Sequence, residues 1–217
     1  MYKMLLVVIG LLLSGCASIT TGNFSSDPDL GRELNAKQGV LFGSFSRNGL
    51  GLQYGSQLFF FKNVETGEQY LINSLHEFVP FIERTRDDFS DTTSKGAVFA
   101  FVLPEGAYTF NKYHLSYASG NGHISWQSDV PYSVPFKVYP NEINYVGEIR
   151  IEPNFGKNLL GMKVLNGGVW FIENKLARDE EILKNKFPEM SMGEVSVIVP
   201  TEHEIFTDFI VLPSNLD

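Results

Sequence analysis

One thiol, four imidazoles and a short run of carboxylates are the reactive groups this 217-residue chain offers, and their spacing decides what they can do. The thiol, Cys16, directly follows Leu13-Ser14-Gly15, at the end of an apolar run over residues 4–13 that Lys3 precedes. A single cysteine excludes a disulfide framework and any multi-thiolate zinc or iron–sulfur site. Two imidazoles begin near-copies of the zinc-peptidase pattern, His76-Glu-Phe-Val-Pro80 and His203-Glu-Ile-Phe-Thr207. Neither supplies a second histidine one helical turn on, and Pro80 would break the helix needed to present both ligands. The other two, His114 and His123, fall on the arms of an expected hairpin. A turn centred near Gly120 pairs His114 with Trp126 and His123 with Tyr117, which forces no shared metal geometry. The acidic stretch Arg84-Thr-Arg-Asp87-Asp88-Phe-Ser-Asp91 lacks EF-hand spacing, its sixth-position glycine and its terminal glutamate, and reads as a solvated loop. Gly-x-Ser-x-Gly and Walker patterns are absent, and Gly49/Gly51 and Gly120/Gly122 lack the third glycine of a dinucleotide turn. The expectation is therefore no metal, no cofactor and no catalytic residues. A Ser/His/Asp set assembled from distant strands stays open as an alternative.

The elements around Cys16 give it a different role. Lys3, a ten-residue apolar run and two small residues make a signal peptide with a short hydrophobic region, too short to span a bilayer as a helix. Leu13-Ser14-Gly15-Cys16 resembles the lipobox of bacterial lipoproteins at all four positions. That resemblance implies that residues 1–15 are removed, that the Cys16 sulfur receives a diacylglyceryl group and that the new amino terminus is acylated with a chain such as palmitate. Each buried methylene contributes about 0.8 kcal/mol, so several chains anchor stably where one does not. Residue 17 is Ala rather than the Asp that tends to hold such proteins at the inner membrane, so the resemblance implies an outer-membrane lipoprotein on the periplasmic face.

Charge narrows the partners. Seventeen Lys and Arg against 25 Asp and Glu give −8, and removing residues 1–15 takes away only Lys3, leaving −9. An acidic body argues against nucleic acid, whose phosphates demand clustered cations. Contact with the membrane is expected through the lipid on Cys16, and contact with an envelope protein through the body.

Residues 16–38, rich in Ser, Thr, Gly, Asn and Asp with Pro28, read as a lipidated flexible tether, and residues 39–217 as one β-rich domain. Within it Tyr132-Ser-Val134-Pro-Phe136-Lys-Val138 alternates as a half-buried antiparallel strand, with Pro135 placing it near an edge. After the Pro140-Asn141-Glu142 turn, Ile143, Tyr145, Gly147, Ile149 and Ile151 alternate with Asn144, Val146, Glu148, Arg150 and Glu152, and the two strands suggest a hairpin. Further hairpins are expected around Glu65-Thr66-Gly67-Glu68 and Ser119-Gly120-Asn121-Gly122, where glycine supplies the positive φ of the turn. Residues 97–103 are apolar on both faces, as in a central strand. One helix is expected, over 176–187, with Leu176, Leu183 and Phe187 on one face, Asp179, Glu180 and Glu181 early, Lys184 and Lys186 late, and Pro188 as a stop. A strand-rich tail follows.

The stretch Val102-Leu-Pro-Glu-Gly-Ala-Tyr-Thr-Phe110, with Pro135-Phe-Lys-Val-Tyr-Pro-Asn-Glu-Ile-Asn-Tyr-Val-Gly-Glu-Ile149, resembles the prealbumin-like or carboxypeptidase-regulatory-like β-sandwiches of envelope lipoproteins. The likeness spans about residues 95–152 and implies a mainly β, antiparallel Greek-key sandwich, with no catalytic residues. Phe59-Phe60-Phe61 cannot all face one way on a strand. Phe59 and Phe61 share a face, Phe60 lies with Leu58 on the other, and burial of both faces under a second layer is the expectation. An exposed Phe60, together with Asn121 in the turn, is the candidate partner surface. The expected function is a non-catalytic, lipid-anchored binding or structural lipoprotein. An envelope hydrolase with a dispersed site, or an accessory lipoprotein of a secretion or transport machine, is the alternative.

Overall fold

The computed structural model describes residues 19–22, 30, 34–48, 54–75, 78–79, 82–83, 87–91, 94–119, 122–128, 132–190, 193–200 and 210–211. In chain order these form β1 (Ile19–Gly22), β2 (Gln38–Asn48), β3 (Ser56–Asn63), β4 (Gln69–Leu75), β5 (Phe78–Val79), β6 (Ile82–Glu83), β7 (Phe89–Ser90) and β8 (Ser94–Pro104). They continue with β9 (Gly106–Ser119), β10 (Gly122–Gln127), β11 (Val134–Val138), β12 (Ile143–Lys157), β13 (Lys163–Glu173), a helix α1 (Leu176–Lys186), β14 (Val195–Val197) and β15 (Ile210–Val211). The protein is mainly β, as its patterning predicts.

Two sheets carry the fold. The first has the order β1-β4-β3-β9-β10, with β11 beside the other half of β9, and the second β15-β13-β12-β2-β8-β7, with β14 beside β12. The expectation of purely antiparallel sheets is corrected: β12 pairs in parallel with both β2 and β14, as do β13 with β15 and β1 with β4. The first of these parallel pairs lies at the centre of the second sheet, which parallel strands tolerate when both faces are covered.

Between the sheets lies an aromatic core. Phe59 and Phe61 both point into it and are fully buried. The Phe61 ring centroid lies 5.0 to 6.1 Å from those of Tyr70, Phe101, Tyr108, Phe110 and Phe136, the spacing at which edge and offset contacts add to area burial. Trp170 closes the same layer against Phe45 and Phe59. A second cluster forms on the other side of the second sheet, where Val40, Phe42, Val98, Ala100, Ile143 and Tyr145 meet Leu183 of α1 and Phe187 just after it. This explains why residues 97–103 are apolar on both faces: Phe99, Phe101 and Leu103 face the first sheet, and Val98 and Ala100 face the helix.

Several local expectations are met. The β3–β4 hairpin turns through Gly67 at φ 73°, with Asn63 Oδ1 accepting the amides of Glu65 and Thr66 at 2.9 Å each. In β11, Val134, Phe136 and Val138 are buried while Lys137 is exposed. The helix covers 176–186.

Three readings are corrected. Strands β11 and β12 do not form a hairpin, because β11 pairs with β9 in one sheet and β12 with β2 and β13 in the other. The residues between them arch from layer to layer through Asn141 at φ 56°. The buried Asn144 amide holds the arch, accepting Tyr139 N–H at 2.9 Å and donating to the carbonyls of Tyr139 and Glu142 at 3.0 and 3.1 Å. Gly39 leaves room for this, since a Cβ there would stand 2.2 Å from the Tyr139 carbonyl oxygen. Secondly, the alternation over 143–151 does not describe one face. The register of β12 against β2 shifts between Tyr145 and Glu148, where Gly147 takes φ 105°, so Ile143 and Tyr145 face the helix while Ile149 and Ile151 face the first sheet. Thirdly, the segment expected to be a free tether contributes to the body: Ile19–Gly22 pairs with Gln69–Ile72, and Leu30 and Leu34 join the cluster under α1.

Candidate functional site

The bulge at Gly147 decides which polar side chains reach the outer face of the second sheet. Beyond it Glu148, Arg150 and Glu152 point outward from β12, and Ser44 does so from β2, where it pairs with Glu148. The first turn of α1 lies over them and supplies Arg178 and Asp179. The N-cap residue Lys175 gives no side-chain cap, Asn174 Oδ1 accepts the Leu176 N–H at 3.1 Å, and Asp179 turns into the body, fully buried.

Asp179 is the hub of a sealed network. Its Oδ2 accepts Ser44 Oγ–H at 2.7 Å and the Tyr145 hydroxyl at 2.8 Å, and its Oδ1 accepts Arg178 Nε–H and Nη2–H at 2.9 and 2.7 Å. Lys175 N–H donates to the Tyr145 oxygen at 3.0 Å, which ties the helix start to β12. Burial, with the Asp179 carboxylate next to it, pushes the Tyr145 hydroxyl far above the ordinary tyrosine range, so it remains a donor. Arg178 also reaches Glu148 Oε1 at 3.3 Å and lies over the Phe89 ring at 3.8 Å. Burial alone would lower the arginine's pKa, but Asp179 and Glu148 outweigh it and hold the guanidinium charged.

Where α1 ends its cover, the network opens into a cleft of about 550 Å³ lined by Asp91, Ser94, Glu148, Arg150, Glu152, Glu173, Lys175 and Arg178. Its charges are matched one against another. Arg150 bonds Glu152 and, at 3.1 Å, Glu173, and its guanidinium carbon stands 4.7 Å from the centre of the Phe171 ring. Lys175 Nζ lies 3.3 Å from the other Glu173 oxygen. Burial would raise the Glu173 carboxyl, but bonding to Arg150 and then Lys175 holds it below the usual carboxylate range. Histidine does not line the cleft. A surface of interleaved, already neutralised charges favours a ligand that offers both donors and acceptors. A polyanion would have to displace Glu152 or Glu173 from Arg150.

The residues singled out from the sequence fall elsewhere. Leu13, Ser14, Gly15 and Cys16 lie outside the described residues, as do Asn121, His76 and His203. Phe60 is on the outer face of the first sheet, half-buried, with Lys112 Nζ 5.4 Å from its ring centre, so the expected second layer over this face is corrected to partial cover. His114 pairs with Gln127 and His123 with Ala118, one residue from the expected register, because residues 120 and 121 alone separate the strands. His114 lies below its ordinary pKa through burial, then through the nearby charges of Lys112 and His123. Among the described residues no group of three or more His, Cys, Asp and Glu side chains is placed to hold a metal ion.

The acidic loop is not the free, solvated segment expected. Asp87 forms a two-pronged pair with Arg47 at 2.9 Å, Asp88 Oδ2 accepts Val98 N–H at 2.8 Å and Lys186 Nζ at 2.6 Å, and Asp91 caps Ser94 N–H at 2.7 Å. These carboxylates fasten the loop to β2, β8 and α1. The signal missed for the buried network is the position of Asp179, three residues after Leu176 and four before Leu183, within the apolar stripe rather than beside it.

No family model matches the chain, and no curated protein matches it. Among solved structures, a leucine-rich repeat protein from Bacteroides thetaiotaomicron aligns at 16% identity with a TM-score of 0.27, over 54% of this chain and 14% of that one. The aligned part is thus a small fraction of that protein's length, and at this score the likeness carries no argument.

Proposed function

We propose that this chain is a lipid-anchored lipoprotein of the bacterial envelope, held at the periplasmic face of the outer membrane through Cys16, with a body that binds a partner or ligand and catalyses no reaction. The observation that carries the anchor is Leu13-Ser14-Gly15-Cys16 at the end of the apolar run over 4–13, behind Lys3. Ala17 supports delivery to the outer membrane. Support for a binding body comes from the cleft, whose Arg150, Lys175 and Arg178 are each already bonded to carboxylates. General acid–base chemistry wants a group held near its switching point, whereas Glu173 is locked in its charged form.

We infer also that the body is a prealbumin-like sandwich. Eight main strands fall into two layers, β4-β3-β9-β11 and β8-β2-β12-β13, with successive strands crossing between layers at the β2–β3, β4–β8, β8–β9 and β11–β12 connections. That order supports a prealbumin-like sandwich, to which α1, β14 and β15 are additions. Fractionation of cells expressing Cys16→Ser tests the anchor: the variant should appear uncleaved or soluble, and a variant that partitions and migrates like the parent would refute it.

A further inference from the structure

The hairpin joining β12 to β13 ends in a tip that an isolated soluble domain has no reason to keep. Leu159 is fully exposed, Leu160 is 81% exposed, Met162 55% and Phe155 40%, four large apolar side chains within eight residues. The tip is nevertheless well formed. Asn158 Oδ1 accepts the amides of Leu160 and Met162 at 3.0 Å each, Gly161 N–H donates to the Asn158 carbonyl at 2.9 Å, and Asn158 N–H to the Met162 carbonyl at 3.0 Å. The turn therefore satisfies most of its own backbone donors, which lowers the cost of seating its apex at the headgroup boundary.

At the neck of the tip, Lys157 and Lys163 stand directly opposite each other across the strands, both exposed. Like charges in that position repel, and a chain with net charge −8 has carboxylates it could have placed there. Lys163 Nζ lies 3.7 Å from the centre of the Phe155 ring, holding its charge beside the apolar tip. Apolar groups at the apex with two cations one step behind match a bilayer surface, where acyl chains lie beneath anionic phosphates.

We propose that this tip dips into the surface of an anionic phospholipid bilayer, with Leu159, Leu160 and Met162 among the upper acyl segments and Lys157 and Lys163 at the headgroup phosphates. The contact is separate from lipidation of Cys16 and would fix which side of the body meets the membrane.

The test places a reporter in the tip of the full chain. Leu160→Trp, and Val64→Trp at the exposed β3–β4 turn as control, are added to phosphatidylcholine vesicles with and without phosphatidylglycerol, some carrying lipids brominated near the headgroup. Difference spectra against the parent chain remove Trp126 and Trp170. The Leu160→Trp signal should shift to the blue and be quenched by brominated lipid, more strongly with phosphatidylglycerol, while Val64→Trp stays in water. Adding Lys157→Glu and Lys163→Glu should remove the dependence on phosphatidylglycerol. The proposal is overturned if Leu160→Trp keeps a water-exposed emission on vesicles, if Val64→Trp is quenched equally, or if the blue shift appears without vesicles, as burial against a second protein copy would give. An unchanged Cys16 in the same sample leaves this reading standing and removes only the anchor.

Discussion

Strand β12 runs from beneath α1 into the open cleft, giving Tyr145 to the buried network and Arg150 and Glu152 to the cleft, so one strand carries a sealed and a solvated form of one chemistry, carboxylates neutralised by arginine. Under the helix Asp179 is fully buried and accepts bonds from Ser44, Tyr145 and Arg178. In the cleft Glu152 and Glu173 share Arg150 in reach of solvent, with side chains 46% and 31% exposed. The contrast separates what a charge does for stability from what it offers a ligand. A sealed carboxylate cannot be released cheaply, because its partners would be left unpaired. A solvated one exchanges its partner for water or ligand at little cost, and the ligand reading therefore belongs to the open half.

The largest effect should fall on the sealed half. Asp179→Ala strands the Ser44 and Tyr145 hydroxyls and one side of Arg178, and should lower unfolding free energy by about 3 to 5 kcal/mol. Arg150→Gln, which breaks two pairs in the open half, should cost about 1 kcal/mol or less because water replaces the guanidinium. Urea unfolding of the two variants measures the gap, and equal losses would end the distinction.

The next effect concerns the bulge that sends Glu148 and Arg150 outward. Gly147 has φ 105°, and a Cβ there would meet the Glu173 carbonyl at 3.0 Å. Gly147→Ala should cost about 1 to 3 kcal/mol through backbone strain. It should also disturb the Arg150–Glu173 pair, visible as weaker protection of the amides of β12 and β13 in hydrogen exchange.

A smaller effect sharpens the same comparison through pH. Because Glu173 titrates below its ordinary 4.5 in the fold, the unfolded chain binds the proton first as pH falls. Its stabilising contribution is complete above 4.5 and is lost as pH drops through the lowered folded value. The acid limb of a stability–pH curve should become shallower in Arg150→Gln, where the larger part of that lowering is removed and only the Lys175 part stays.

The smallest effect is expected at Phe60, which lies half-buried on the outer face of the first sheet. Phe60→Asp should change stability by less than about 1 kcal/mol, since the new charge stays in water beside Lys112. A large drop in the melting temperature would mean that this face is core.

Much of this fold was legible in the sequence where one rule governs a segment. Period-two patterning marked β11, the Glu65-Thr66-Gly67-Glu68 turn marked the β3–β4 hairpin, and the 3.6-residue spacing of Leu176, Leu183 and Phe187 with Pro188 behind them marked α1. Legibility failed where two rules compete at one residue. Gly147 reads as one more member of an alternating strand, yet its backbone freedom inserts a residue and exchanges the faces. Pro140-Asn141-Glu142 reads as a hairpin turn, but the buried amide of Asn144 and the bare Gly39 make it an arch. Asp179 fits the helix dipole so well that its place in the apolar stripe went unused. The cleft was not legible because Asp91, Glu148, Glu173 and Arg178 meet only after four elements have packed.

The anchor at Cys16 is the central claim, and the mass of the intact protein extracted from membranes tests it most directly. A lipoprotein so anchored begins at Cys16, lacks residues 1–15 and carries the added mass of a diacylglyceryl group and an amide-linked acyl chain. An unmodified Cys16, or a chain that still retains residues 1–15, would contradict it.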